Sequence, residues 1–327
     1  MVNYATRQLE GKDEWLSLIH KMKILLFGKI NGSGLETDKK ILESELMALG
    51  HEVIFYNFLL PIPPAERGDL NIHLEAINEK CLDRSSYNIF IPNPEWYIQD
   101  MDLLDKIDLI ACKTHEAERI FNEMGYKTIF LGFTSPDCLE KSVKKDYNHF
   151  FHMRGSSDTK GSVGLIKAWM VQTEPSLPFL TVTTHIPPGV KSQLFEVIDH
   201  RLPNEEYSRL INSCGVHLCP SETEGFGHSL VEAMSTEAVV ITVNAPPMNE
   251  LIDNPWCLVP YKHTQLCQLG LRYFFDSRDL VKVIRHLMTW PEEKLRTMGL
   301  KNREKFLKMD QAFKTRLKEI LELIGES

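Results

Sequence analysis

The feature that most constrains this chain is an alternation of short apolar, β-rich runs with segments of helical periodicity, and the alternation occurs twice. From Lys23, KILLFG (Lys23–Gly28) leads into the turn NGSG (Asn31–Gly34). Thr37–Leu49 then carries apolar residues at helical spacing and Gly50 stops it. VIFYNF (Val53–Phe58) reads as a second strand. NIFIP (Asn88–Pro92), LIAC (Leu109–Cys112) and TIFL (Thr128–Leu131) read as further buried strands, separated by helical stretches such as Glu116–Met124. Strands that alternate with helices build a parallel sheet covered on both faces. After the polar patch EKSVKKDYN (Glu140–Asn148) the pattern restarts with His149–Met153, a Gly/Ser loop and a helix to about Val171. Phe179–Thr184, Gly215–Cys219 and Ala238–Val243 are the next strand candidates, and Ser277–Ile324 reads as helix alone. A length of 327 residues suits two such units. The expectation is therefore a first α/β domain over 1–144, with 1–22 as a possible extension. A second α/β domain should follow over 145–303, and a helical tail over 304–327.

Composition removes several classes. Apolar residues at 43% and charged residues at 25% exclude a disordered chain, a coiled coil and a collagen-like repeat. Lys plus Arg number 37 against 45 Asp plus Glu, a formal charge of −8, so no whole-protein basic field is available for nucleic acid or anionic lipid. The 7 cysteines are odd in number and none is spaced CxxC, which argues against a disulfide framework or a zinc site. No apolar run approaches the roughly 18 residues of a membrane span. The opening MVNYATRQLEGKDEWLSLIHKM carries acids and lacks an apolar core, unlike a signal peptide. The expected location is the cytoplasm, without stable membrane insertion.

Two loops carry chemistry. In the first, Gly28, Gly32 and Gly34 are spaced GxxxGxG, not GxGxxG, and the second strand ends Tyr56-Asn57-Phe58 without the ribose-binding acid of a dinucleotide site. Gly32, Ser33 and Gly34 still place backbone N–H groups ahead of a helix, a cradle for an anionic or hydroxylated ligand, with a plain tight turn as the competing reading. The second loop lies in CPSETEGFGHSLVEAM (Cys219–Met234). Glycines at 225 and 227 let a ligand approach the backbone, and a helix starting near Gly227 offers donors and positive potential to phosphate. Glu224 sits in the loop and Glu232 one turn beyond His228 and Ser229, so one carboxylate faces what lies above the loop and the other reaches hydroxyls beside the phosphate.

The run EGFGHSLVE (Glu224–Glu232) resembles the E-x7-E motif of retaining glycosyltransferases with the GT-B fold, notably glycosyltransferase family 4. The resemblance implies two Rossmann-like domains facing a central cleft, with the nucleotide sugar mainly on the second. It implies that Glu224 contacts the donor sugar, that Glu232 contacts the ribose, and that backbone amides after Gly225-Phe226-Gly227, at His228, Ser229 and Leu230, hold the diphosphate. HMRGSSDTKG (His152–Gly161) is similar to the family's opening of the second domain, where two cations neutralise the diphosphate. Lys160 fits one. The other falls on Ser156, which carries no charge, with Arg154 two residues away as a substitute. Leu202-Pro203 matches the stretch that contacts the base. On the first domain, PNPEWY (Pro92–Tyr97) puts Glu95 where the fold presents a cleft residue, often a His. Lys113 in CKT and the turn GFT (Gly132–Thr134) fall at other cleft turns, and ordinary turn chemistry competes for each.

Other motifs fall away. Asp100-Met101-Asp102 spells DxD but belongs with Asp105 and Asp108 on what reads as an acidic amphipathic helix. His149-x-x-His152 has no third ligand, and no GxSxG is present. No metal site and no cofactor are expected beyond a UDP- or GDP-linked sugar as co-substrate. The resemblance implies a metal-independent hexosyl- or pentosyltransferase in which the acceptor hydroxyl attacks from the face that the diphosphate leaves. The departing phosphate takes the proton, Lys160 and the 225–229 amides stabilise the charge, and Glu224, Lys160 and Glu95 form the catalytic set. The acceptor class stays open between glycan, lipid, protein, small molecule and DNA base. Two alternatives stand beside it: a sugar-nucleotide or glycan binder of the same fold without turnover, and an enzyme that glycosylates modified DNA bases.

Overall fold

The computed structural model describes residues 21–30, 32, 34–61, 66–154, 157–170, 177–183 and 193–325. The sequence expectations for Ser33, Ser156 and most of the 1–22 extension lie outside the described residues. The first sheet contains β1 (Lys23–Gly28), β2 (Glu52–Asn57), β3 (Leu70–Leu74), β4 (Asn88–Ile91), β5 (Leu109–Cys112) and β6 (Thr128–Phe130). Its order is β2-β1-β3-β4-β5-β6, and every pairing is parallel. The second contains β7 (Asp146–Met153), β8 (Phe179–Thr183), β9 (Phe195–Ile198), β10 (Cys214–Cys219), β11 (Val239–Val243) and β12 (Leu258–Val259). Its order is β12-β11-β10-β7-β8-β9, again parallel throughout. A sheet covered on both faces needs strands without a polar side, and β4, β5, β10 and β11 are buried along their whole length.

β3 (LNIHL) has no counterpart in the sequence expectation because Asn71 and His73 interrupt its apolar run. Both are fully buried and partnered. Asn71 Nδ2 donates to the Cys81 carbonyl at 2.9 Å and to Asn88 Oδ1 at 2.8 Å, and His73 Nδ1 accepts from the Asn78 amide at 3.2 Å. Asp100–Asp108 does not form the expected amphipathic helix. Only a six-residue 3-10 turn, Met101–Lys106, lies there, with Asp102 and Asp105 in solvent.

β13 (Tyr261–Cys267) and β14 (Gly270–Phe275) form an antiparallel hairpin outside both large sheets. The chain then ends in helices Ser277–Met288 and Glu292–Gly325. The last is a single 34-residue helix. Its first half lies on the second domain, where Asn302 Nδ2 donates to the Ala238 carbonyl at 2.8 Å. Its second half crosses to the first domain. Phe313 packs 4.9 Å from Phe133, and Arg316 Nε donates to the Leu131 carbonyl at 2.8 Å. Among the described residues, no helix is long and apolar enough to cross a membrane.

Candidate active site between the two domains

The loop after β10 is built on the loop after β7. The Glu222 amide donates to the Thr159 carbonyl at 2.7 Å. Gly161 sits at φ +69 where a Cβ would lie 2.1 Å from the Pro220 carbonyl oxygen, so only glycine permits this approach. The close packing brings the Lys160 ammonium onto Glu224 Oε1, which also accepts from Ser221 Oγ at 2.6 Å. Ser221 has no signal in the sequence. Gly227, at φ 108, opens helix His228–Ser235. The Leu230 amide donates to the Gly227 carbonyl at 3.0 Å, so Leu230 is already engaged. The His228 and Ser229 amides donate to no acceptor among the described residues, which leaves two free donors at the helix start.

Glu232 lies one turn further, lining a small open pocket with Met153, Tyr207, Cys219 and Ser229. Tyr207 Oη donates to Glu232 Oε2 at 3.2 Å. Burial pushes the Glu232 carboxyl above its usual range, against His228, the Tyr207 hydroxyl and Lys160. Tyr207 stands on helix Asn204–Ser213, just after the half-buried Leu202. Arg154, just after β7, pairs its guanidinium with the exposed Asp158, and its amide donates to the Thr183 carbonyl at 3.2 Å.

The first domain closes over this site. Gly32, at φ 68, lies in the turn before helix Gly34–Ala48, and a Cβ at Gly34 would lie 3.4 Å from the His228 ring. That helix buries Leu35, Asp38, Leu42 and Leu46 along one stripe. Asp38 Oδ1 meets His228 Nε2 at 2.8 Å and Oδ2 meets Lys113 Nζ at 2.8 Å, while His228 Nδ1 meets Ser135 Oγ at 2.7 Å. Burial alone would raise the Asp38 carboxyl, but the Lys113 ammonium and His228 outweigh it and bring it to about 2. Two sequence readings change here. Lys113 faces Asp38, not a substrate, and the His228 side chain joins the two domains, leaving only its amide for a ligand. The Phe226 ring is likewise buried against Phe133, 5.5 Å away.

Gly225 meets the other domain. A Cβ there would lie 2.2 Å from Asn93 Oδ1 and 2.9 Å from Glu95 Oε1. Its lack of a side chain admits the Asn93 and Glu95 side chains of the first domain. Glu95 is 5% exposed in the 3-10 turn Pro94–Trp96. Burial raises its carboxyl to about 7, opposed by Lys113 and reinforced by the negative charges of Glu224 and Glu75. Among the described residues there is no group of three or more His, Cys, Asp or Glu arranged to hold a metal ion.

This geometry can be set beside known proteins. The family described as glycosyl transferases group 1 matches residues 198–266, which contain the 224–232 motif. No curated protein matches the sequence. Among solved structures, the chain is similar to sucrose-phosphate synthase from Thermosynechococcus elongatus, with TM-score 0.68 and 14% identity over 94% of this chain and 100% of that one. It is similar to the pneumococcal O-GlcNAc transferase GtfA in complex with UDP and GlcNAc, with TM-score 0.59 and 14% identity over 79% of this chain. A third likeness is to an α-glucosyltransferase in complex with UDP and a 13-mer DNA containing a HMU base, with TM-score 0.57 and 11% identity over 93% of this chain and 99% of that one. The chain spans 57% of the GtfA chain. The fold is thus GT-B, two Rossmann-like domains with a helical tail, and its second domain carries the segment that matches the group 1 glycosyl transferases.

Proposed function

We propose that the protein transfers a sugar, with retention, from a nucleotide-diphosphate sugar to an acceptor hydroxyl, without a divalent cation. One observation supports this most: Lys160 and Glu224 are joined at the end of β10 beside two free helix amides, with Glu232 one turn away. A diphosphate set against the His228 and Ser229 amides lies beside the Lys160 ammonium. Its ribose then reaches Glu232 and Tyr207, and its sugar reaches Glu224. The bond from the anomeric carbon to the phosphate oxygen breaks with the electron pair leaving on the diphosphate. The acceptor oxygen attacks from that same face, and its proton passes to the departing phosphate. UDP is the first nucleotide to test, because two of the similar structures are complexes with it.

A thermal-shift screen of UDP-, GDP- and ADP-sugars reports the donor directly, since a ligand bound to the native state raises the melting temperature. No shift with any of them, together with no cleavage of any donor, would refute the reading. The two carboxylates should separate. Glu232→Ala should weaken nucleoside-diphosphate affinity by about tenfold or more, the worth of hydrogen bonds to a charged group. Glu224→Ala should instead lower turnover while leaving nucleotide affinity near the parent value. Calorimetric titration with UDP checks both, and equal affinity in Glu232→Ala and parent would remove the ribose role.

A further inference from the structure

The β13–β14 hairpin belongs to neither six-stranded sheet, and its two ends are held unequally. The base is fastened to the second domain. The Tyr273 amide donates to the Glu222 carbonyl at 2.7 Å, Arg272 Nε donates to the Glu222 carboxylate at 3.0 Å, and Lys262 Nζ pairs with Asp279 at 2.6 Å. Phe275 packs so closely on the loop and helix that follow Lys160 that a Cβ at Gly161 or Gly164 would lie 2.9 or 2.8 Å from its ring. The tip is fastened to the first domain, and by less. The Leu269 amide donates to the Pro94 carbonyl at 3.1 Å, and the Cys267 thiol, a weak donor, lies 3.5 Å from the Glu95 carbonyl oxygen. Half-buried Leu269 packs on the first-domain cluster that holds Phe90 and Tyr97. None of Cys267, Gln268, Leu269 and Gly270 carries a full charge, so no ion pair adds to these contacts.

The docked hairpin covers Glu224. The space that β14 leaves against the first domain is lined by Glu95, Glu116, Glu224, Leu271 and Tyr273, and it holds about one water. Lys160 and Ser221 occupy the Glu224 carboxylate on its other side, and that side chain is 8% exposed. A sugar ring brought to Glu224 is several times larger than a water, so a contact around it has to give. The Lys160 loop is pressed on the Pro220 carbonyl through Gly161 and on Phe275. The domains are joined elsewhere by charged groups. Asp38 meets His228 at 2.8 Å, and the Glu250 carboxylate accepts from the His115 and Glu116 amides at 2.8 Å each. Such charge-assisted bonds are stronger than the neutral one at the hairpin tip, so the tip is the contact that gives first.

Resting on the glycosyltransferase reading above, we infer that the β13–β14 hairpin is an autoinhibitory lid on Glu224, hinged at Glu222 and latched by Leu269 on the Pro94–Trp96 turn. It lifts while the two domains stay in contact. Docking of the tip and binding of the sugar half of the donor then exclude each other. The apparent affinity for the nucleotide sugar is lowered by the fraction of molecules with the lid up. Linkage makes the effect reciprocal: a bound sugar releases the tip, and a released tip tightens the sugar. The nucleoside diphosphate alone lies at Glu232, Tyr207 and the helix amides, none of which touches the hairpin tip, so it leaves the lid docked.

The test combines hydrogen exchange and calorimetric titration on the full chain, with UDP alone and with the nucleotide sugar that gives the largest melting shift. The nucleotide sugar should speed exchange in the tip segment 266–271, which contains the Leu269 amide, relative to UDP. The segment 113–118, whose His115 and Glu116 amides face Glu250, should keep its rate. Without ligand, Leu269→Ser should speed exchange at the tip by about threefold or more, the scale of losing part of a leucine's burial. The same variant should bind the nucleotide sugar more tightly than the parent and UDP within about twofold of it. Leu269→Met should stay near the parent in each measurement, and melting curves confirm that both variants fold. Tip exchange that the sugar slows or leaves unchanged overturns the lid, as does weaker or equal sugar affinity in Leu269→Ser. Equal acceleration at 113–118 shows the domains parting as units and removes the hairpin as a separate lid. A chain that binds no nucleotide sugar overturns the donor reading, and exchange in unliganded Leu269→Ser then still decides whether Leu269 is the latch.

Discussion

Lys160→Ala should lower turnover by about 10²-fold or more while the protein stays folded and still binds nucleotide, an effect on the scale of removing one oxyanion donor. Cleavage of the sugar–phosphate bond leaves charge on the diphosphate that was shared with the sugar in the ground state. A cation beside it therefore stabilises the transition state more than bound substrate, and its removal appears in kcat before KM. In this protein the burden falls on few groups. The Leu230 amide is engaged by the Gly227 carbonyl, so the groups at the helix start are Lys160 with the His228 and Ser229 amides. Lys160→Arg should recover only part of the rate. Charge is kept, but the planar guanidinium has to fit a turn already pressed on the Pro220 carbonyl through Gly161. EDTA should leave the parent rate nearly unchanged. A rate abolished by EDTA together with a near-normal Lys160→Ala would move the charge stabilisation from the protein to a metal.

The parts legible in the sequence are those in which local pattern and tertiary role coincide. LIAC and VVITV are buried on both faces, so an uninterrupted apolar run is their whole signal. The Glu224-to-Glu232 spacing is legible for the same reason, because one loop and one helix turn set it with no help from the rest of the chain. LNIHL fails because Asn71 and His73 are satisfied by Cys81, Asn78 and Asn88, partners that no local window contains. The β13–β14 hairpin fails because YKHTQLC is exposed over nearly its entire length and has no apolar alternation to read. Asp38 did leave a trace, as an acid set into the Leu35, Leu42 and Leu46 stripe of its helix. An acid on a buried face has to be paired, but its partners, Lys113 and His228, come from another loop and another domain. At Gly225 the Asn93 side chain is what comes near, a partner that no local window names, because a glycine reports a close approach and not what approaches.

Lys113→Met should cost about 3 kcal/mol or more of unfolding free energy at pH 7, the scale of leaving one member of a buried ion pair alone. Lys113 and Asp38 side chains are 3% and 4% exposed, so water cannot take over the lost partner. The sign follows from the carboxyl. In the parent, Asp38 is held at about 2, below its ordinary 3.8, so it contributes stability above the ordinary value that is lost as pH falls through about 2. Without the ammonium, burial dominates and the carboxyl rises above its ordinary value. The variant's penalty is then fully present at neutral pH and shrinks as pH falls toward 4 and Asp38 takes up a proton. Urea unfolding at pH 7 and pH 4 should show this convergence. Asp38→Asn in the same chain should return most of the loss at pH 7, since no buried charge then remains unpaired. Asp38 also holds His228, whose backbone starts the helix that presents the free amides, so the same substitution loosens the contact that sets the first domain against the donor site. Curves that superimpose on the parent at both pH values would mean that Asp38 is uncharged in the native protein and that the domains are joined by something other than this ion pair.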